Sequence, residues 1–249
     1  GDVDVVKALK ESCDVFFYQI AKKISIDTLA DYARAFGVGS RTGIDLKRET
    51  TGLMPDSDWK EKRFGSSWQG GETLACSIGQ SYVLMTPIQI AVAYAAIANG
   101  GKIYKPNLIK EVFSVFGEIN QKFSPKLKSE VAMNPKNLEL VKKGLFSVVN
   151  EKGGTAYWYR PKNVTMSGKT GTSQVKSFSA KDIYKKCEDR EYNSRHHGIF
   201  AAYAPADKPK ISIAVVVEHG CHGSSAAAPV AKAIADEYFK NKDVAGNVP

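Results

Sequence analysis

Lys169, Thr170, Gly171 and Thr172 place an amine, two hydroxyls and a bare backbone position in four consecutive residues. A lysine gives fixed positive charge, and threonine hydroxyls give hydrogen-bond donors. A glycine lets a ligand approach the main chain closely. The tetrapeptide follows a β-prone run, Asn163 to Gly168. The expected chemistry is therefore recognition of an anionic group laid along a strand. A second polar grouping, Ser12-Cys13-Asp14, interrupts an otherwise apolar helical stretch and is followed at once by Val15-Phe16-Phe17-Tyr18. A hydroxyl and a carboxylate set into a buried helix require partners or a role, because burying them unpaired costs free energy.

The rest of the chain must position these two groups. Its 249 residues are 43% hydrophobic and 24% charged, an ordinary globular balance. Helical spacing runs from Val5 to about Ile24, and a second helix is expected from Asp27, as N-cap, to Phe36. Residues 38–75 read as irregular. Helices are expected again over 86–99, closed by Gly100-Gly101, from Asn134-Pro135 onward, and over 226–240. Residues 103–123 read as a hairpin around Phe116-Gly117-Glu118, and 174–196 as a long polar loop. Gly198–Tyr203 and Ile211–Val217, separated by a Pro-rich turn, give strand, turn, strand. Consecutive strands favour an antiparallel sheet, so the expected fold is α/β of the segregated α+β kind, an antiparallel sheet flanked by helices, in one domain over 1–249.

Net charge is +9, from 35 basic and 26 acidic residues, but the basic residues are dispersed. A solvated surface is expected, and no nucleic-acid partner. No apolar run is long enough to span a bilayer. The opening Gly1-Asp2-Val3-Asp4 enters a helical pattern directly, which suits a fragment. Cys13, Cys76, Cys187 and Cys221 contain no C-x-x-C pair. A disulfide between Cys187 and Cys221 is open to either outcome. The histidines 196, 197, 219 and 222 are read as loop residues, with no metal and no cofactor expected.

Taken together, the motifs resemble those of class B penicillin-binding proteins of the elongation type. Glu11 to Tyr18 is similar to the second active-site motif of that family, and Ser167-Gly168-Lys169-Thr170-Gly171-Thr172-Ser173-Gln174 to its third. Gly70–Leu74, Ile78–Ser81 and Thr86–Ala91 are similar to the stretch leading into a core helix, and Glu218-His219-Gly220 with Ala226–Ala231 to the closing strand and helix. The resemblance implies the fold shared by penicillin-binding transpeptidases and serine β-lactamases, here incomplete at its N-terminus. It implies a D,D-transpeptidase that acts on D-Ala-D-Ala stem peptides of peptidoglycan through a serine acyl-enzyme and is acylated by β-lactams. By that analogy Ser12 relays a proton, Asp14 orients a lysine, and Lys169 supports the network. Thr170, Gly171 and Thr172 hold the substrate, and the Thr172 backbone N–H is one oxyanion donor.

Two departures accompany the resemblance. Asp14 stands in place of the family's Asn, a replacement frequent in the elongation-type subfamily, and an ionised carboxylate cannot donate a hydrogen bond. The S-x-x-K nucleophile motif is expected upstream of Ser12, outside this chain. Two sequences fit the pattern, Ser57-Asp58-Trp59-Lys60 and Ser173-Gln174-Val175-Lys176, but both lie out of order in polar, loop-like sequence. The implied partners are stem peptides, β-lactams, the N-terminal remainder of the protein and cell-elongation proteins. The implied location is the periplasmic face of the inner membrane, through an anchor outside this chain. A β-lactamase or β-lactam sensor, or a non-catalytic scaffold, is the alternative.

Overall fold

The computed structural model describes residues 2–176 and 185–240. Its centre is a three-stranded antiparallel sheet, β5 (Ser167–Ser173), β6 (His197–Ala204) and β7 (Ile211–Val217), in sequential order. Registry pairs Lys169 with Ala201, Thr172 with Gly198, and Phe200 with Val215. The small and β-branched residues of β6 and β7 are largely buried. They pack with α7 (Pro135–Asn150) and α8 (Ala228–Lys240) into a core that includes Val148, Met166, Phe200 and Ala231. β5 begins at Ser167 rather than at Asn163, so the Lys-Thr-Gly-Thr segment is itself the strand and not the loop after it. Pairing with β6 sets that register, and nothing within the segment alone reveals it.

The expected helix over 5–24 is two helices, α1 (Val5–Glu11) and α2 (Asp14–Ala21). Ser12 caps α1 in the left-handed region at φ 56°, and Cys13 is extended. Ser12 and Asp14 are exposed, not buried, and Val15 beside them is 63% exposed. The next helix, α3 (Ile26–Ala35), is capped by Ser25, whose side chain accepts from Thr28 N. Asp27 instead reaches across to accept from both the backbone N–H and the hydroxyl of Ser57. Residues 38–75, expected to be irregular, contain α4 (Ser57–Phe64) and the start of α5 (Gly70–Ser77).

α6 (Pro87–Asn99) begins and ends where its Thr86 cap and Gly100 predict. Two small ribbons follow. β1 (Lys102–Lys105) pairs with β4 (Lys126–Glu130), and β2 (Glu111–Phe113) pairs with β3 (Ile119–Lys122), so the expected hairpin is the inner half of a longer excursion. Of the expected loop 174–196, residues 177–184 lie outside the described residues, and 187–189 and 192–194 form short 3₁₀ turns. The last helix is preceded by a π-helical turn over Gly223–Ala227.

α1 reaches the site by lying on α7. A Cβ at Gly144 would come within 2.5 Å of Leu9, so glycine there permits the approach. Lys10 pairs with Glu151 at 3.1 Å and fixes the same contact from its rim.

Candidate active site

β5 is an edge strand, and its free edge forms one side of a cleft of about 450 Å³. Ser12 and Asp14 bound the cleft from the α1–α2 break, Ser77 and Gln80 from the end of α5, and His222 and Ser224 from the turn after β7. Lys169 Nζ donates to Ser12 Oγ at 2.7 Å and to the carbonyl of Thr170 at 3.0 Å. The first bond joins residues 157 apart in the chain. It exists because the left-handed turn at Ser12 ends α1 just where β5 passes. A non-glycine residue with positive φ is the kind of strain that surrounding structure must hold in place. Here the backbone of Cys13 donates to Ala8 O at 2.9 Å and secures the turn.

Burial pushes the Lys169 ammonium down to about 8 from its usual value, against the nearby Asp14 carboxylate, which favours the charged form. The lysine is thus the desolvated member of the group, while Ser12 and Asp14 face the open side.

The hydroxyls of Thr170 and Thr155 are hydrogen-bonded to each other at 2.8 Å. Thr155 is held there by a bond from its N–H to Lys10 O. It follows a tight turn in which a Cβ on Gly154 would lie 2.3 Å from Val148 O. Gln80 Nε2 donates to Thr172 O at 2.7 Å. In an antiparallel strand the N–H and C=O of one residue point the same way. Carbonyls of Thr170 and Thr172 that accept from cleft side chains therefore turn the N–H groups of those residues toward the cleft as well. A Cβ on Gly171 would meet Ile199 only at ordinary contact distance, 3.5 Å. Its crowded neighbour is instead Gly223, where a Cβ would lie 2.3 Å from Gly171 O.

The structure brings Ser12, Asp14, Lys169, Thr170, Gly171 and Thr172 into one cleft. Sequence reasoning gave no site role to Thr155, Gln80 or Ser224, and read His222 as a loop histidine. Gly153-Gly154-Thr155 after a strong helix was the available signal for the first of these. The two S-x-x-K segments lie elsewhere. Ser57 to Lys60 is the first turn of α4, not a loop, yet Ser57 is bound to Asp27 and Lys60 is paired with Glu72. Ser173 ends β5, and the Lys176 carbonyl accepts from Gln174.

Cys187 and Cys221 form a disulfide, while Cys13 and Cys76 are free. Among the described residues no group of three His, Cys, Asp or Glu side chains is placed to hold a metal ion. Also among the described residues, no helix is long and apolar enough to cross a membrane.

Residues 1–236 match the family described as the penicillin binding protein transpeptidase domain. The chain is 36% identical over 245 residues to the peptidoglycan D,D-transpeptidase MrdA of Haemophilus influenzae, which covers 97% of this chain and 37% of that protein. It is 34% identical over 226 residues to MrdA of Escherichia coli K12, covering 90% and 35% respectively. Among solved structures it resembles Pseudomonas aeruginosa PBP2 in complex with WCK 5153, with TM-score 0.80, 35% identity and coverage of 95% of this chain and 49% of that one. It also resembles the Helicobacter pylori PBP2 complexed with MreC, with TM-score 0.80, 34% identity and coverage of 96% and 41%. The chain therefore spans between about a third and a half of the length of these relatives.

Proposed function

The chain belongs to the penicillin-binding protein transpeptidase family, and from that premise we propose that it is the C-terminal part of a D,D-transpeptidase domain. The observation that carries the proposal is the Lys169–Ser12 hydrogen bond, made across 157 residues at the free edge of β5. The substrate is a peptidoglycan stem peptide ending in D-Ala-D-Ala, and β-lactams acylate the same site. The nucleophilic serine comes from a segment outside this chain, since Ser57 and Lys60 are bound to Asp27 and Glu72, and the run from Ser173 to Lys176 begins at the last residue of β5 and is not helical.

In this reading the nucleophile's oxygen attacks the carbonyl carbon between the two D-Ala residues. A C–O bond forms, the C–N bond breaks, and D-Ala leaves with the proton that the serine gave up. An amine of a neighbouring strand then attacks the ester, takes the acyl group and returns a proton to the serine. Ser12 hands the proton between the catalytic base and the leaving or entering nitrogen. Its hydroxyl accepts from Lys169, which leaves its own proton free to donate outward. Lys169, charged below about pH 8, holds that polarity. Asp14 keeps Lys169 charged and does not donate to substrate. The outward N–H of Thr172 supplies one oxyanion donor, with Gln80 holding the carbonyl of the same residue. Thr170 and Thr172 hydroxyls and the Gly171 backbone seat the terminal carboxylate, Thr155 aligning the first of them.

The H. pylori relative is described in complex with MreC, which supports partnership with cell-elongation proteins. The corresponding location is the periplasmic face of the inner membrane. No cofactor takes part.

Labelling of the complete protein with a fluorescent penicillin tests the proposal. The expected result is a covalent adduct that survives denaturation, located upstream of Ser12. An adduct on this chain's own residues, or none, contradicts it.

A further inference from the structure

One wall of the cleft is fastened by a covalent bond. It is the turn from His219 to Ala227, which leaves β7 with two non-glycine residues in the left-handed region, His219 at φ 57° and Cys221 at φ 63°. Such a conformation persists only where neighbours impose it. Cys221 is joined by the disulfide to Cys187, in the segment between β5 and β6. Around the disulfide the Cys221 N–H donates to His196 O at 2.9 Å, and the His219 N–H donates to His197 Nδ1 at 3.0 Å. The residue after each cysteine completes the clasp, with His222 Nε2 lying 3.3 Å from Glu188 Oε1.

The turn is also pressed onto the sheet. A Cβ on Gly223 would lie 2.1 Å from Ile199 O, and one on Gly198 would lie 2.8 Å from His222 O. His222 and Ser224 thus stand at a fixed height beside β5, in the cleft that Ser12 also lines. With Nε2 beside Glu188, the Nδ1 nitrogen of the His222 ring remains for a polar group of a bound peptide.

We propose that the Cys187–Cys221 disulfide is a positioning element of the transpeptidase site, which presents His222 to the peptide of the substrate. Binding of substrate in the cleft then depends on the oxidised state of this pair. This rests on the reading of the cleft as a transpeptidase site. A dithiol opens the clasp by thiol–disulfide exchange. Its two thiols become a disulfide, and Cys187 and Cys221 each gain an electron and a proton. The left-handed turn then loses its covalent restraint while the sheet beneath keeps its hydrogen bonds.

The test is acylation of the complete protein by a fluorescent penicillin and by a stem-peptide mimic. It compares the oxidised protein, the protein reduced by dithiothreitol, and the reduced protein after reoxidation. Reduction is expected to weaken the pre-acylation complex with the peptide mimic about tenfold, with the acylation rate at saturation retained, and reoxidation restores it. His222→Ala in oxidised protein gives a loss of similar size, and gives no further loss once the protein is reduced. C187S/C221S behaves like reduced protein where it folds. Where it does not, reversible reduction and His222→Ala decide the matter. Equal binding by oxidised and reduced protein overturns the proposal, as does an unaltered His222→Ala or a free thiol at both cysteines in protein from oxidising conditions. If oxidised wild-type protein forms no penicillin adduct at all, it is the transpeptidase reading that fails.

Discussion

Ser57 and Lys60 stand three residues apart on the first turn of α4, and each is bound to something else. Ser57 accompanies its own N–H onto Asp27, and Lys60, 7% exposed, is paired with Glu72. Ser12 and Lys169 stand 157 residues apart and bond to each other at 2.7 Å. The first pair has the spacing of a catalytic motif and performs a structural task. It pins α4 to α3 and α5 beneath the aromatic cluster of Trp59, Phe64 and Tyr82. The second pair has no spacing to recognise it by and occupies the cleft. Residue spacing records which side chains share a helical face, whereas chemistry requires a shared cleft, and in this chain topology supplies the cleft.

Substitutions can break or sharpen this contrast. Lys169→Ala in the complete protein is expected to lower the rate of β-lactam acylation by about 10²–10³-fold, the usual effect of removing one strong electrostatic donor from such a site. It should not lower the unfolding temperature. The depressed pKa makes the charged lysine a cost to folding below about pH 8, a cost that fades as pH rises toward the ordinary value. Lys60→Ala is expected to show the opposite pattern, near-normal acylation with a loss of about 2–4 kcal/mol in stability, read by denaturant unfolding.

Ser12→Ala should slow acylation by about 10²-fold, the low end for a positioned proton-transfer group. A pH profile of acylation separates the pairs again. The Lys169 ammonium is lost as pH rises through about 8, so the rate should fall on the alkaline side from there. A limb that begins only near the ordinary lysine pKa would mean that Lys169 is not the group being titrated. Smallest is Ser57→Ala, expected to cost about 1 kcal/mol through its lost bond to Asp27 while leaving acylation unchanged.

Local signals made part of the molecule legible. Thr86 and Gly100 delimit α6, Asn134-Pro135 starts α7, and apolar runs, rich in β-branched residues in β7, mark β6 and β7, because caps and side-chain type act within a few residues. α4 escaped notice because its sequence is polar, and α5 because two glycines open it and it is only eight residues long. What holds them is tertiary, namely the Arg34–Asp56 pair at 2.5 Å, the Lys60–Glu72 pair, and Trp68 Nε1 bonded to Thr73. Within the site, the residue types of Lys169 to Thr172 pointed to an anion-binding segment, but not to the segment being the edge strand itself, which pairing with β6 decides. The left-handed turn at Ser12 could not be read from the sequence, since serine does not announce a positive φ, nor could the exposure of Ser12 and Asp14 on what looked like a buried helix. Thr155 and Gln80 were missed for the same reason. Each acts on β5 from a distant element, through bonds that exist only in the fold.

The central claim, that Ser12 and Lys169 act as one unit and Ser57 and Lys60 do not, is tested most directly by paired double-mutant cycles on acylation of the complete protein. The Ser12→Ala/Lys169→Ala cycle should be strongly non-additive, with the double variant hardly slower than Lys169→Ala alone. The Ser57→Ala/Lys60→Ala cycle should leave acylation near the wild-type rate at every corner. Additive losses in the first cycle, or a large acylation defect in the second, would contradict the account.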